Sequence, residues 1–242
     1  MKALVVGGSS GIGLSIVLQL VQDAMVEQVF VVDKSLFPNE YLNERISFRQ
    51  CDLSYGDYSV FDDIDDIQAL YITAGFGHLR WFQDLSEDYI DASFAVNAIA
   101  PIQIIRHYYD KMLSDNTFYC AVMVSIAGRL SSPLFSVYSA AKAALSKFIE
   151  AVNVELDVQG SSNRILEVSP GSLKGTGFTG GVSNPELTAG LAAEIIGCTN
   201  NRELLFIPQY EEVFKGVIER YHADAHQFGV ESYWYKKNQG RL

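Results

Sequence analysis

Lys2-Ala3-Leu4-Val5-Val6-Gly7-Gly8-Ser9-Ser10-Gly11-Ile12-Gly13 carries a short apolar run directly into a glycine-rich loop. Leu14, Val17, Leu18 and Val21 then recur at helical spacing, which predicts a strand, a tight loop and an amphipathic helix in that order. Glycines let the backbone approach a ligand closely. The first turn of the helix offers N–H groups and a positive partial charge that suit a pyrophosphate. Gly7, Ser9, Ser10, Gly11, Ile12 and Gly13 are therefore the expected cradle of a dinucleotide. A plain glycine-rich turn is the alternative, and the strand-loop-helix context argues against it.

The same alternation continues along the chain. Predicted strands are Lys2 to Val6, Val29 to Val32, Ile46 to Gln50, Ala69 to Thr73, Phe118 to Val124, Ile165 to Val168 and Glu203 to Ile207, with helical patterns between them. Such a sequence predicts a Rossmann-like α/β fold, a doubly wound parallel sheet of about seven strands with helices on both faces. Hydrophobic residues make up 48% of the 242 residues, enough for strands buried on both sides. With no internal repeat and no low-complexity linker, residues 1–242 read as one domain. The site is expected outside the carboxyl ends of the strands.

Asp33 closes the second strand and lies twenty residues after Gly13. A carboxylate there can accept hydrogen bonds from ribose hydroxyls and repel a 2′-phosphate, which favours NAD(H) over NADP(H). Lys34 stands beside it as a group that could turn toward a phosphate. Tyr138 and Lys142, in Tyr138-Ser139-Ala140-Ala141-Lys142, are four apart. On a helix that spacing puts both on one face, where an ammonium beside a phenol would lower its pKa and make it a usable acid. Alone, the pair fits an ordinary solvated helix face equally well.

Taken together, these residues resemble the short-chain dehydrogenase/reductase family, from Met1 to about Pro208. Gly7, Gly11 and Gly13 match the glycine spacing of the family's shorter members. Asp52 and Leu53, after the third predicted strand, resemble its adenine contact. Thr73-Ala74-Gly75 sits where the family usually has Asn-Ala-Gly, Asn97 matches its helix asparagine, and Ser125, thirteen residues before Tyr138, matches its catalytic serine. Pro170, Gly171, Leu173 and Thr176 resemble its loop under the nicotinamide. The resemblance implies an NAD(P)-dependent oxidoreductase interconverting an alcohol and a ketone or aldehyde, with catalytic residues Asn97, Ser125, Tyr138 and Lys142. Tyr138 would move the proton, Ser125 would bond the reacting oxygen, Lys142 would also hold the nicotinamide ribose, and Asn97 would hold a relay water. A sugar-nucleotide epimerase or dehydratase, a non-catalytic dinucleotide-binding regulator and a scaffold are the alternatives. The retained Tyr138, Lys142 and Ser125 weigh against the regulator and the scaffold, and the glycine spacing and chain length against the epimerase.

A formal charge of −11 disfavours nucleic acid, which needs clustered cations. No apolar run approaches the ~18 residues of a membrane span, and the first strand starts at Lys2, so a cytoplasmic protein without a membrane partner is expected. Cys51, Cys120 and Cys198 read as reduced packing residues. His222 and His226, four apart, lack a third ligand, so no metal is expected. The acidic run Asp62-Asp63-Ile64-Asp65-Asp66 reads as a solvated face.

Glycines punctuate the chain after Gly171, so residues 172–190 are predicted to form a mobile substrate loop, or else a plain surface loop. Residues 209–242 are the variable end: Val213, Phe214, Val217, Ile218 and Tyr221 predict an amphipathic helix, followed by Phe228, Tyr233, Trp234 and Tyr235. These aromatics would wall a pocket or cover a subunit contact. Small residues on the helices near Ile99 and Val137 suggest a homodimer or homotetramer, as in similar members. The substrate is a small carbonyl or alcohol whose identity the sequence leaves open.

Overall fold

The computed structural model describes residues 1–179 and 181–238. Its strands are β1 (Lys2–Val6), β2 (Gln28–Asp33), β3 (Ile46–Gln50), β4 (Ala69–Ile72), β5 (Tyr119–Met123), β6 (Arg164–Val168) and β7 (Leu205–Phe206). Its helices are α1 (Gly11–Gln22), α2 (Glu87–Phe94), α3 (Ala100–His107), α4 (Tyr109–Leu113), α5 (Ser136–Val158), α6 (Pro185–Asn200), α7 (Lys215–Ala223) and α8 (Ala225–Asn238). Among the described residues the strands form one parallel sheet in the order β3-β2-β1-β4-β5-β6-β7. This is the doubly wound Rossmann-like arrangement, and the chain reverses direction across the sheet between β1 and β4.

Alternation along each strand explains the two layers. Leu4, Val6, Leu70, Ile72, Cys120 and Val122 point to one face, where they pack with Ile104 of α3 and Leu145, Ile149 and Leu156 of α5. Ala3, Val5, Val29, Val31, Ala69, Tyr71 and Ala121 point to the other, under Ile16, Val17 and Leu20 of α1 and Ala192 and Ile195 of α6. A parallel sheet covered on both sides needs this apolar content on both pleats. Val6 pairs with Val32 on one side and Ile72 on the other, so the three strand ends around the reversal finish level.

Besides shifts of a residue or two at strand ends, three segments between strands differ in detail from the sequence expectation. The predicted loop 172–190 ends early, because Asn184 caps α6 by accepting from the Glu186 N–H and Pro185 fits the first helical position. The helix predicted near Ile99 begins at Glu87, where the Ser86 hydroxyl accepts from the Tyr89 N–H. It widens into a π turn at Ala95–Ile99 before α3. Pro101 has no N–H to give the carbonyl of Asn97, and the wider turn accommodates that loss. The predicted helix from Tyr210 is present as a π turn over Tyr210–Phe214 running into α7, and the aromatic tail forms α8, with Phe228 buried. Residues 239–242 of that tail lie outside the described residues. No described helix is long and apolar enough to cross a membrane.

Candidate active site

The loop between β1 and α1 is held by contacts that only glycine allows. Gly7 has φ +86°, and a Cβ there would lie 2.4 Å from the Ala74 nitrogen. A Cβ on Gly13 would lie 2.2 Å from the Gly7 carbonyl oxygen and 2.4 Å from Thr73 Oγ1. The Thr73 hydroxyl is 3.0 Å from the carbonyl oxygens of both Val6 and Gly7. It thereby ties the end of β4 to the glycine loop.

A cleft of about 320 Å³ opens at this point. Gly7, Ser10, Gly11, Ile12, Gly13, Asp33, Lys34, Asp52, Leu53, Thr73, Ala74, Gly75 and Thr176, all expected from the sequence to meet a cofactor, line it. Asp33 Oδ2 accepts from the Ser9 N–H at 2.9 Å and Oδ1 from the Ser35 N–H at 2.9 Å, which fixes the carboxylate at the mouth. Asp52 accepts from Ser54 N–H and Oγ, and these bonds hold its pKa below the usual carboxylate value. Lys34 Nζ sits 5.7 Å from the centre of the Phe76 ring, a cation–π contact rather than a phosphate-seeking pose.

Six predicted cofactor contacts, Ser9, Tyr138, Lys142, Pro170, Gly171 and Leu173, are not on the cleft wall. Ser9 is buried beneath it, with its hydroxyl donating to the Ser35 carbonyl. Pro170 is buried behind Ser125, and its carbonyl accepts from the Ile126 N–H. Gly171 lies against the Phe214 ring, 2.4 Å from where a Cβ would be, and Leu173 packs on the core under α1 and α6. The chain after β6 turns back toward α6 and the π turn, taking these residues away from the cleft.

Tyr138, Lys142, Ser125 and Asn97 converge beside it. Tyr138 is 6% exposed, and burial pushes its phenol up to about 12, against a hydrogen bond from the Ser125 side chain that lowers it. The expectation that Lys142 holds this pKa down is not met. Lys142 is itself 2% exposed, burial lowers its pKa to about 7, and its Nζ donates to the Met123 carbonyl at 2.8 Å, 5.9 Å from the centre of the Tyr138 ring. Desolvation outweighs a charge that is itself partly lost. Ser125 Oγ accepts from the Ala127 N–H at 3.1 Å and has the Pro170 carbonyl at 3.5 Å. That longer bond is weak, so the hydroxyl proton is available to the phenol side. Asn97 spends its amide on Phe76, accepting from its N–H at 3.2 Å and donating to its carbonyl at 2.9 Å. A Cβ on Gly75 would lie 2.9 Å from Asn97 Oδ1 and 3.4 Å from Lys142 Nζ, so these three residues share one corner.

Several participants have no signal in the sequence. Glu167, in the middle of β6, is 2% exposed. Its Oε1 accepts from Arg129 Nε at 3.0 Å, Arg129 Nη2 at 2.7 Å and Ser169 Oγ at 2.6 Å, and its Oε2 from Ser146 Oγ at 2.8 Å. One buried carboxylate thus joins the Ser125 loop to the helix of Tyr138 and Lys142. Phe178 and Ser183, from the loop before α6, reach Tyr138 and the Gly11 N–H respectively. An Arg and a Glu far apart in sequence, or a Phe in a glycine-rich loop, announce nothing until the fold joins them.

The fold is Rossmann-like, with a polar corner at its switch point. The short chain dehydrogenase family model matches residues 1–186, and the chain belongs to that family. An uncharacterized oxidoreductase of Saccharomyces cerevisiae is 31% identical over 73% of the chain and 56% of its own length. The chain thus spans little more than half of that relative. Among solved structures, a short-chain dehydrogenase/reductase from Burkholderia phymatum in complex with NAD superposes with TM-score 0.78 at 16% identity, covering 93% of this chain and 94% of the other. One from Burkholderia cenocepacia in complex with NADP gives 0.75 at 17% identity, covering 96% of each. At these identities the two structures attest the fold.

Lys142 gives the site a pH signature. From about pH 7 to its ordinary value of 10.5, the unfolded chain binds a proton at this lysine that the folded chain does not. Stability contributed by this group therefore rises with pH across that window. Urea unfolding of wild type and Lys142→Met at pH 7 and pH 10 is expected to move the difference in favour of wild type at the higher pH. A difference independent of pH would contradict the buried, deprotonating lysine.

Proposed function

We propose that this chain is an NAD(P)-dependent oxidoreductase that interconverts an alcohol and a ketone or aldehyde, with Tyr138 as general acid and base and NAD(H) as the preferred cofactor. The observation that carries this reading is the buried Tyr138 phenol, with the Ser125 side chain acting on it, beside a backbone cradle that any side chain at Gly7 or Gly13 would fill. The residues fit a dinucleotide: close-approach glycines at the start of α1 suit a pyrophosphate, and Asp33 at the end of β2 suits ribose hydroxyls. A nicotinamide dinucleotide, when bound, supplies or accepts the hydride at the substrate carbon.

The protein's own part is to hold and move the proton. As negative charge grows on a carbonyl oxygen, Ser125 Oγ donates a hydrogen bond to it and Tyr138 transfers its phenolic proton to it. In the oxidative direction the phenolate takes the proton from the alcohol. A phenol near 12 holds its proton firmly, and polar groups placed beside its oxygen lower that value by favouring the charged form. Lys142, whose pKa burial lowers to about 7, would serve as a proton reservoir behind the phenol. Asn97 positions Phe76 and keeps that corner closed. Related proteins are named for retinol and 17-beta-hydroxysteroid dehydrogenases, at 27% and 26% identity, and those names are compatible with the same reaction class. An epimerase or dehydratase lacks a specific observation in its favour.

Two copies are proposed to pair through α5, where Ala140, Ala143, Ala144 and Ala151 are exposed and Val154 and Val158 are 62% and 82% exposed. Small side chains let helices approach closely, and exposed valines beside them are costly in a monomer. Light scattering is expected to return a multiple of the 26.8 kDa chain mass for wild type and the single-chain mass for Val154→Lys. A monomeric wild type would exclude the pairing.

Tyr138→Phe is expected to lower kcat by about 10²–10⁴-fold while leaving dinucleotide affinity, followed by nicotinamide fluorescence, nearly unchanged. Near-native turnover in that variant would sink the proposed mechanism. Asp33→Asn is expected to reduce the NAD-over-NADP ratio of kcat/KM by on the order of tenfold, about 1.4 kcal/mol. An unchanged ratio would remove Asp33 as the discriminating group.

A further inference from the structure

Phe178 has no part in the chemistry described above, yet it occupies its centre. Its ring lies 5.1 Å from the Tyr138 ring and 6.1 Å from Phe135, and those two rings are 5.5 Å apart. Its tip presses on Gly77, where a Cβ would lie 3.0 Å from Phe178 Cζ and 3.0 Å from Tyr138 Cδ2. Phe178 lines the nucleotide cleft, whereas Tyr138 does not. The ring is therefore the partition between the cleft and the phenol.

The loop bearing this ring is anchored on both sides of it. Ser183 Oγ accepts from the Gly11 N–H at 2.7 Å, the Asn184 N–H donates to the Gly175 carbonyl at 3.0 Å, and the methyl of Thr176 packs 3.4 Å from where a Gly11 Cβ would be. A carbonyl that meets both Tyr138 and the cleft has to take the space between them, and that space holds a benzyl group. The walls there are the faces of Tyr138 and Phe135 and the bare backbone of Gly77. Lys142 Nζ and Lys236 Nζ stand 5.9 Å and 5.7 Å from the centres of the Tyr138 and Phe135 rings but donate to the Met123 and Pro133 carbonyls, so a charged group among the ring faces would lose more hydration than they return. A flat apolar group gains burial and ring contacts.

We propose that Phe178 holds the place of the substrate's own apolar group, and that the substrate is an uncharged ketone or aldehyde with an aryl or similarly flat apolar group next to its carbonyl. This rests on the reading of Tyr138 as proton donor. The side chain and the substrate compete for one position, so apparent affinity in the wild type is reduced by the fraction of molecules in which the ring is seated.

Calorimetric titration of the ligand-free full chain with acetophenone tests this, using wild type, Phe178→Ala and Phe178→Leu, with benzoylformate as a charged aryl probe and hydroxyacetone as a small polar one. Phe178→Ala is expected to bind acetophenone about threefold or more tighter than wild type, with Phe178→Leu between them. Wild type is expected to bind acetophenone about tenfold or more tighter than either other probe. Unchanged or weaker acetophenone binding in both variants overturns the proposal, as does equal binding of benzoylformate or hydroxyacetone. Turnover assays with reduced dinucleotide separate the two levels. Turnover of carbonyls without the binding pattern overturns the role of Phe178 alone, whereas the binding pattern without turnover of any carbonyl overturns the oxidoreductase reading and the substrate assignment with it.

Discussion

Among the described residues the tightest glycine contact is the approach of the first turn of α1 to the end of β1, where Gly13 stands over the Gly7 carbonyl with no room for a methyl group. Everything at the site inherits its position from that contact. It aims the amino end of α1 at the mouth of the cleft, brings Thr73 within 3.0 Å of the loop carbonyls, and places the Ser9 N–H on the Asp33 carboxylate. A side chain at position 13 would push α1 off the sheet and dissolve these relations together. The strand reversal between β1 and β4 supplies the opening, and the glycine contact sets its depth.

Opposite that cradle, the protein buries polar groups that an ordinary core would exclude. Lys142 and Glu167 are both 2% exposed and lie in the frame around Tyr138. The two are handled differently. Glu167 collects four donor contacts, including the paired Arg129, so its charge is compensated in place. Lys142 donates to the Met123 carbonyl and yields much of its charge instead. A compensated carboxylate fastens the serine loop to α5, while burial lowers the pKa of the lysine beside Tyr138.

Most of this was legible from side-chain periodicity and spacing. All seven strands fall where alternating apolar runs placed them, with β7 shortened to Leu205–Phe206, because parallel strands buried on both faces leave a strong apolar signature. The glycine loop, Asp33, Thr73 and the Tyr138–Lys142 pair are local motifs, and local motifs survive being read in one dimension. What escaped was long-range. Tyr138 and Lys142 share a helix face as their spacing implied, but the sign of the electrostatic effect between them depends on burial, which spacing does not contain. Pro170, Gly171 and Leu173 carry motif letters whose place was decided by Phe214 and by the core under α6. Phe178 and Ser183 act across 40 and 172 positions of sequence, onto Tyr138 and Gly11, and no window of sequence joins such partners.

The central claim is that one dinucleotide lies from Asp33 across the glycine cradle to the Tyr138 corner. A crystal structure of the full chain soaked with NAD tests this most directly. The expected result is a dinucleotide with its adenosine ribose on the Asp33 carboxylate, its pyrophosphate at the amino end of α1, and its nicotinamide end beside Tyr138 and Lys142. A dinucleotide bound elsewhere, or a soaked crystal with none in the cleft, would contradict it.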